Sequence, residues 1–321
     1  MNFRTTIEIT PSPWRITHQH SGMAFGSCFA ESITQTLARL KYNITCNPFG
    51  ALYNPLSIVK CIKRIAEARP YSAEELTEWQ GRWFSMDAHT LMDAPSAEEA
   101  LVRLNETLAT AHQALAKADY IIITLGTDYV YEQRGEVVTN CHKLPSSQFT
   151  RRKLAIEEMW QALNEVIDKE LVNKQIIITV SPIRHIKDGL AESSLSKASL
   201  RVVASQLTNK QCVSYFPSYE IMMDDLRDYR FYAPDMVHPS EVAITYINEH
   251  FGQAWLAPAE QELNRRIERF VKGCEHRPFD TSSEAFHTFI KTQKSTLETL
   301  KKECPTADFT KEEIFLDDMA R

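Results

Sequence analysis

Two apolar runs, Tyr120-Ile-Ile-Ile-Thr-Leu125 and Gln175-Ile-Ile-Ile-Thr-Val180, constrain this chain most. Neither alternates apolar with polar residues. Each therefore predicts a strand covered on both faces, as in the interior of a parallel sheet. Each follows a stretch that reads as helix, 96–118 and 151–171, and Ser96 is placed to cap the first of these towards Glu99. Weaker strands are expected at 22–25, 43–46 and 212–216, and further helices at 28–40, 56–68, 196–208 and 241–254. Strands alternating with helices predict a doubly wound α/β sandwich, which binds ligands at the carboxyl ends of its strands.

The four loops at those ends carry the chemistry. Ser27 follows the first strand, Gly126-Thr127-Asp128 follows the 120–125 run, and Ser181-Pro-Ile-Arg-His185 follows the 175–180 run. Asp235 and His238 sit in Pro234-Asp-Met-Val-His-Pro239, just before the last helix of the αβ region. All four are expected to converge on one edge of the sheet. A serine hydroxyl becomes a nucleophile when a histidine takes its proton, and a carboxylate fixes that histidine's tautomer. Ser27, His238 and Asp235 supply the three groups in the chain order Ser…Asp…His. A competing reading has Ser27 only capping the helix after it, its hydroxyl accepting from the Ala30 N–H. Arg184 and His185 are candidate substrate contacts, with Arg184 suited to a carboxylate or phosphate.

Composition removes several function classes. The 321 residues carry a net charge of −6, with no basic stripe and no aromatic–basic interleaving, so no nucleic-acid partner is expected. No apolar run approaches the roughly 20 residues of a membrane span. Residues 1–10 lack the apolar core of a secretory signal, and the seven cysteines are isolated, without C-x-x-C. Reduced thiols and a cytoplasmic location are expected. His89, His112, His142 and His250 have no metal-ligand spacing, and no Gly-rich loop cradles a phosphate, so neither metal nor cofactor is expected. Residues 70–95 read as an insertion, with Trp79–Met92 as a lid or substrate wall. Beyond Pro258 the chain turns charged and helix-prone. The expected division is therefore an αβ domain over 1–258 and a helical extension over 259–321. Amphipathic helices at 259–273, 282–303 and 310–320 are candidates for a homodimer interface.

Gly26-Ser27-Cys28-Phe29-Ala30 resembles the motif that names the GSCFA family, a branch of the SGNH (GDSL-like) hydrolase superfamily. The similarity runs over about 25–251 and takes in Asn47-Pro-Phe-Gly50, Leu125-Gly-Thr127, Ser181–His185 and Asp235–Ser240. The resemblance implies a flavodoxin-like three-layer αβα fold with a parallel sheet, and ester hydrolysis or acyl transfer. It makes Ser27 the nucleophile and its N–H an oxyanion donor, His238 the base and Asp235 its orienter. It aligns Gly50 with a second glycine donor. Gly126-Thr127-Asp128 lies where the superfamily carries Gly-x-Asn, with Asp128 in place of the asparagine. An ionised carboxylate would repel a developing oxyanion, so Thr127 is expected to donate instead. The function implied is an esterase or deacylase acting on a small-molecule or glycan ester. An O-acyltransferase with the same triad and a non-catalytic glycan- or acyl-binding module are the alternatives.

Overall fold

The computed structural model describes residues 5–276 and 283–319. Five parallel strands form the central sheet: β1 (Ser21–Gly26), β2 (Asn43–Cys46), β3 (Tyr120–Leu125), β4 (Gln175–Val180) and β5 (Val213–Phe216). They lie side by side in the order β2-β1-β3-β4-β5. This is the flavodoxin-like doubly wound order, with its switch point between β1 and β3.

Alternate side chains of each strand feed two separate cores. Met23, Phe25, Ile121, Ile123, Leu125, Ile176 and Ile178 face one layer. That layer contains α2 (Pro55–Ala66), α3 (Ala97–Lys117), α4 (Ile156–Lys169) and α5 (Leu190–Leu207). Ala24, Tyr120, Ile122, Ile177 and Phe216 face α1 (Cys28–Arg39) and α6 (Glu241–Trp255) on the other side. β3 is buried along its whole length, which is why its sequence is apolar without alternation. Ser96 caps α3 as expected, its hydroxyl accepting from the Glu99 N–H at 3.2 Å.

Two segments depart from expectation. Residues 151–153 are not helical: Thr150–Lys153 is a strand, and α4 begins only at Ile156. That strand pairs with Tyr129–Gln133, which turns through Arg134-Gly135 into Glu136–Val138, making a three-stranded antiparallel sheet. The Arg151 guanidinium lies 4.0 Å from the centre of the Tyr129 ring, and Arg152 bonds Glu132 at 2.7 Å. These cross-strand contacts outweigh the helix propensity of the basic run. The second departure is in the 70–95 insertion. It forms a hairpin of Leu76–Trp79 and Arg82–Ser85 whose Phe84 ring stacks on His142 at 4.0 Å.

The C-terminal helices α7 (Gln261–Glu275), α8 (Glu284–Glu303) and α9 (Thr310–Asp318) build their own core from Ile267, Phe270, Ile290, Leu297, Leu300 and Leu316. Of the positions expected to be helical here, Ser282 and Ala320 lie outside the described residues. Polar contacts join this unit to the sandwich. Arg39 bonds Glu275 and Lys41 bonds Glu312, each at 2.6 Å, and Asn264 donates to the Tyr42 hydroxyl at 3.0 Å. Among the described residues no helix is long and apolar enough to cross a membrane.

Candidate active site

β1 ends in a backbone turn that only glycine makes without strain. Gly26 has φ +141°, and a Cβ there would stand 2.2 Å from the Thr124 carbonyl oxygen. Asn47 clamps this turn. Its Oδ1 accepts from the Gly26 N–H at 2.9 Å and its Nδ2 donates to the Gly26 carbonyl at 3.0 Å. Ser27 follows at the N-terminus of α1. The Ala30 N–H bonds the main-chain oxygen of Ser27 at 2.8 Å, not its hydroxyl. The capping reading of the side chain is therefore wrong. Ser27 is 1% exposed and its Oγ has no hydrogen-bond partner. A buried hydroxyl left unpaired costs about 1–3 kcal/mol and calls for an explanation.

Asp235 and His238 lie in a tight loop ahead of α6, where Met236 takes a φ of +58°. One carboxylate oxygen of Asp235 accepts from the main-chain N–H of Val237 at 2.9 Å and of His238 at 3.0 Å. The other is 2.6 Å from His238 Nδ1. These backbone donors, with the imidazole bond, hold the Asp235 carboxyl down at about 2, so it is ionised at any physiological pH. An ionised carboxylate only accepts, so Nδ1 carries the proton and Nε2 is left as the basic nitrogen. His238 is half exposed, and Ser27 Oγ does not bond it.

Ser27, Thr127, Arg184, His185 and His238 line one cleft of about 500 Å³ at the carboxyl end of the sheet. Gly126 fits tightly beside them: a Cβ there would be 2.7 Å from the Tyr53 carbonyl oxygen and 3.4 Å from Ser27 Cβ. Gly50 is placed elsewhere. Its N–H donates to the Asn47 carbonyl at 2.7 Å and it packs on His89, outside the cleft. The 70–95 insertion likewise contributes nothing to the lining. The wall is made instead by the three-stranded sheet, through Tyr129, Tyr131, Val138 and Arg151.

Thr127 Oγ1 accepts from the Tyr129 N–H at 3.2 Å and shares a 3.4 Å hydroxyl–hydroxyl contact with Ser196 Oγ, in which either oxygen can donate. The main-chain N–H groups of Gly126 and Thr127 are both committed to the Tyr53 carbonyl, at 3.0 and 2.8 Å. Asn54 also lines the cleft. Its amide bonds Ser57 through Oδ1 at 2.9 Å and through one Nδ2 hydrogen at 3.0 Å, leaving a second hydrogen over.

Asp128 does not line the cleft. It is fully buried, its carboxylate 3.7 Å from the Lys153 ammonium and without a hydrogen bond. Nearby Lys197 is 2% exposed and donates to the Gly126 carbonyl at 2.6 Å. Burial lowers the Lys197 amine to about 7, against the opposing pull of Asp128. His185 is driven down to about 4 by burial and by the Lys197 charge, so it is neutral at pH 7, with a buried and unpartnered Nε2. Sequence reasoning missed Asn54, Lys197 and the tyrosine wall. The alternating Tyr129-Val-Tyr131 before Arg134-Gly135 was the available sign of a hairpin.

The sequence profile of the GSCFA family matches residues 22–251. A second profile, for the GSCFA domain protein C-terminal domain, matches residues 267–318. The chain belongs to the GSCFA family. No curated protein has significant similarity to it. All seven cysteines are free, and no cluster of three or more potential metal ligands occurs among the described residues.

Proposed function

We propose that this protein is a serine hydrolase of the SGNH type that cleaves a carboxylic ester through an acyl-enzyme. One observation carries the reading: a buried, unpartnered Ser27 hydroxyl lines the same cleft as a histidine whose Nδ1 is locked by Asp235. His238 Nε2 takes the Ser27 proton as Oγ attacks the carbonyl carbon. The tetrahedral intermediate expels the alcohol, which receives that proton. Water, deprotonated by His238, then attacks the acyl-serine and releases the acid.

The Ser27–His238 bond forms when substrate binds, as catalytic bonds often tighten only in the complex. The Thr127 hydroxyl, the spare Asn54 amide hydrogen and the Ser27 N–H are the donors for the oxyanion. The Ser27 N–H is only loosely held, at 3.3 Å from the Thr124 carbonyl. The dipole of α1 adds favourable potential at the same point. Hydrolysis is favoured over acyl transfer to another alcohol because His238 is half exposed, which gives water access to the acyl-enzyme.

A second reading, a non-catalytic module that binds an ester-bearing small molecule or glycan, draws support from the committed N–H groups of Gly50, Gly126 and Thr127. Kinetics separate the two. Ser27→Ala and His238→Ala should each abolish most turnover of a short-chain aryl ester, with the double variant no worse than either, because members of one catalytic unit are not additive. Losses that multiply, or a folded wild type without turnover, would count against the hydrolase.

A further inference from the structure

The mouth of the cleft carries four charged side chains: Arg151, Arg184, Lys187 and Asp188. Arg151 and Asp188 satisfy each other through a two-pronged ion pair, which holds the Asp188 carboxyl below its ordinary range. Arg184 and Lys187 remain, and among the described residues neither has a carboxylate within ion-pair distance. The Arg184 guanidinium lies over two tyrosine rings, 4.3 Å from the centre of Tyr232 and 5.1 Å from Tyr229, and donates to the Tyr229 hydroxyl at 3.3 Å. The Lys187 ammonium lies 5.1 Å from the centre of the Tyr131 ring and donates to that tyrosine's hydroxyl.

Aromatic faces orient both cations, yet supply no counter-charge. Each cation keeps unused donors: several N–H groups on the guanidinium and two on the ammonium. The chain as a whole is acidic, with a net charge of −6, so two cations outside any ion pair at this one opening stand against the general field. The Arg184 main-chain N–H also bonds the Val237 carbonyl at 3.2 Å, which ties this seat to the loop that carries His238.

We propose that the ester accepted here carries an anionic group, a carboxylate or a phosphate, seated between Arg184 and Lys187 while the ester carbonyl lies at Ser27. This deepens the hydrolase reading and rests on it. The scissile bond and its products are unchanged; the anion serves only to bind and orient.

The test is a comparison of matched esters at low salt. On the acyl side, an aryl butyrate is set against the aryl hemisuccinate. On the alcohol side, 4-methylphenyl acetate is set against 4-acetoxyphenyl phosphate. The arm with the larger preference tells a carboxylate on the acyl group from a phosphate on the alcohol. Two partly exposed charged hydrogen bonds give an expected preference of about 10- to 100-fold in kcat/KM for the anionic ester. That ratio should shrink as salt is raised, and should fall towards 1 in the Arg184→Gln/Lys187→Gln double variant.

Equal turnover of neutral and anionic esters by the wild type overturns the proposal. A preference that survives in the double variant also overturns it. If the folded protein turns over no ester at all, the hydrolase reading has failed, and titration calorimetry with inorganic phosphate decides the anion seat separately. Binding that weakens at least tenfold in the double variant upholds the seat; no binding, or binding unaffected by the substitutions, overturns it.

Discussion

Lys197 offers a quantitative test of how the floor of the site is built. The folded chain holds this amine near 7, whereas an unfolded chain leaves it at 10.5. Between those values the unfolded state keeps a proton that the folded state has lost. Folding stability therefore rises with pH across that window, by at most about 1.4 kcal/mol per pH unit. Below 7 the folded state must carry a buried ammonium, and the destabilisation is complete. Lys197→Met keeps the length of the side chain and removes the titration. Subtracting the variant's unfolding free energy from that of the wild type cancels the tyrosines and cysteines that titrate in both. The difference should move in favour of the wild type by roughly 2.5 kcal/mol between pH 7.5 and 9.5, measured by urea denaturation of each protein at the two pH values. A change below about 0.5 kcal/mol would mean that the amine titrates as it does in water, and would refute the buried contact with the Gly126 carbonyl. In an Asp128→Asn background the nearby carboxylate charge is gone, and the Lys197 value should fall further.

Two further outcomes follow from the site geometry. Asp235→Asn keeps the loop shape but lets His238 adopt the other tautomer, and should lower kcat by up to about 10⁴-fold with little change in KM; an unchanged kcat would remove Asp235 from the catalytic unit. Thr127→Val deletes the hydroxyl of a residue lining the same cleft as Ser27 without changing side-chain shape, and should slow acylation by about 10²-fold in a pre-steady-state burst assay. An unchanged burst rate there would leave the oxyanion to Asn54 and the Ser27 N–H.

The parallel sheet was legible because burial on both faces writes itself into the sequence as unbroken Ile-Ile-Ile runs. The meeting of Ser27, Thr127, Arg184, His185 and His238 was legible because strand ends in a doubly wound sheet share one edge. What escaped was set by tertiary contacts. Arg151–Lys153 borders a helix and is rich in helix formers, and only its pairing with Tyr129–Gln133 makes it a strand. Gly50 was expected to offer its N–H to the oxyanion, but the local turn commits that hydrogen to Asn47. Ser27 has every sequence mark of a helix cap, and only the three-dimensional structure leaves its hydroxyl unused. A lysine such as Lys197 in a helical stretch reads as surface, because nothing in the linear sequence discloses that Gly126 lies beneath it.

The central claim is that the Ser27 hydroxyl is an activated nucleophile. The most direct measurement is incubation of the folded protein with a fluorophosphonate, followed by mapping of the adduct by peptide mass spectrometry. The account predicts a single stoichiometric adduct on Ser27, formed far more slowly in His238→Ala and absent in Ser27→Ala. A folded wild type that stays unlabelled, or that labels at another residue in the same cleft such as Cys28 or Tyr53, would contradict it.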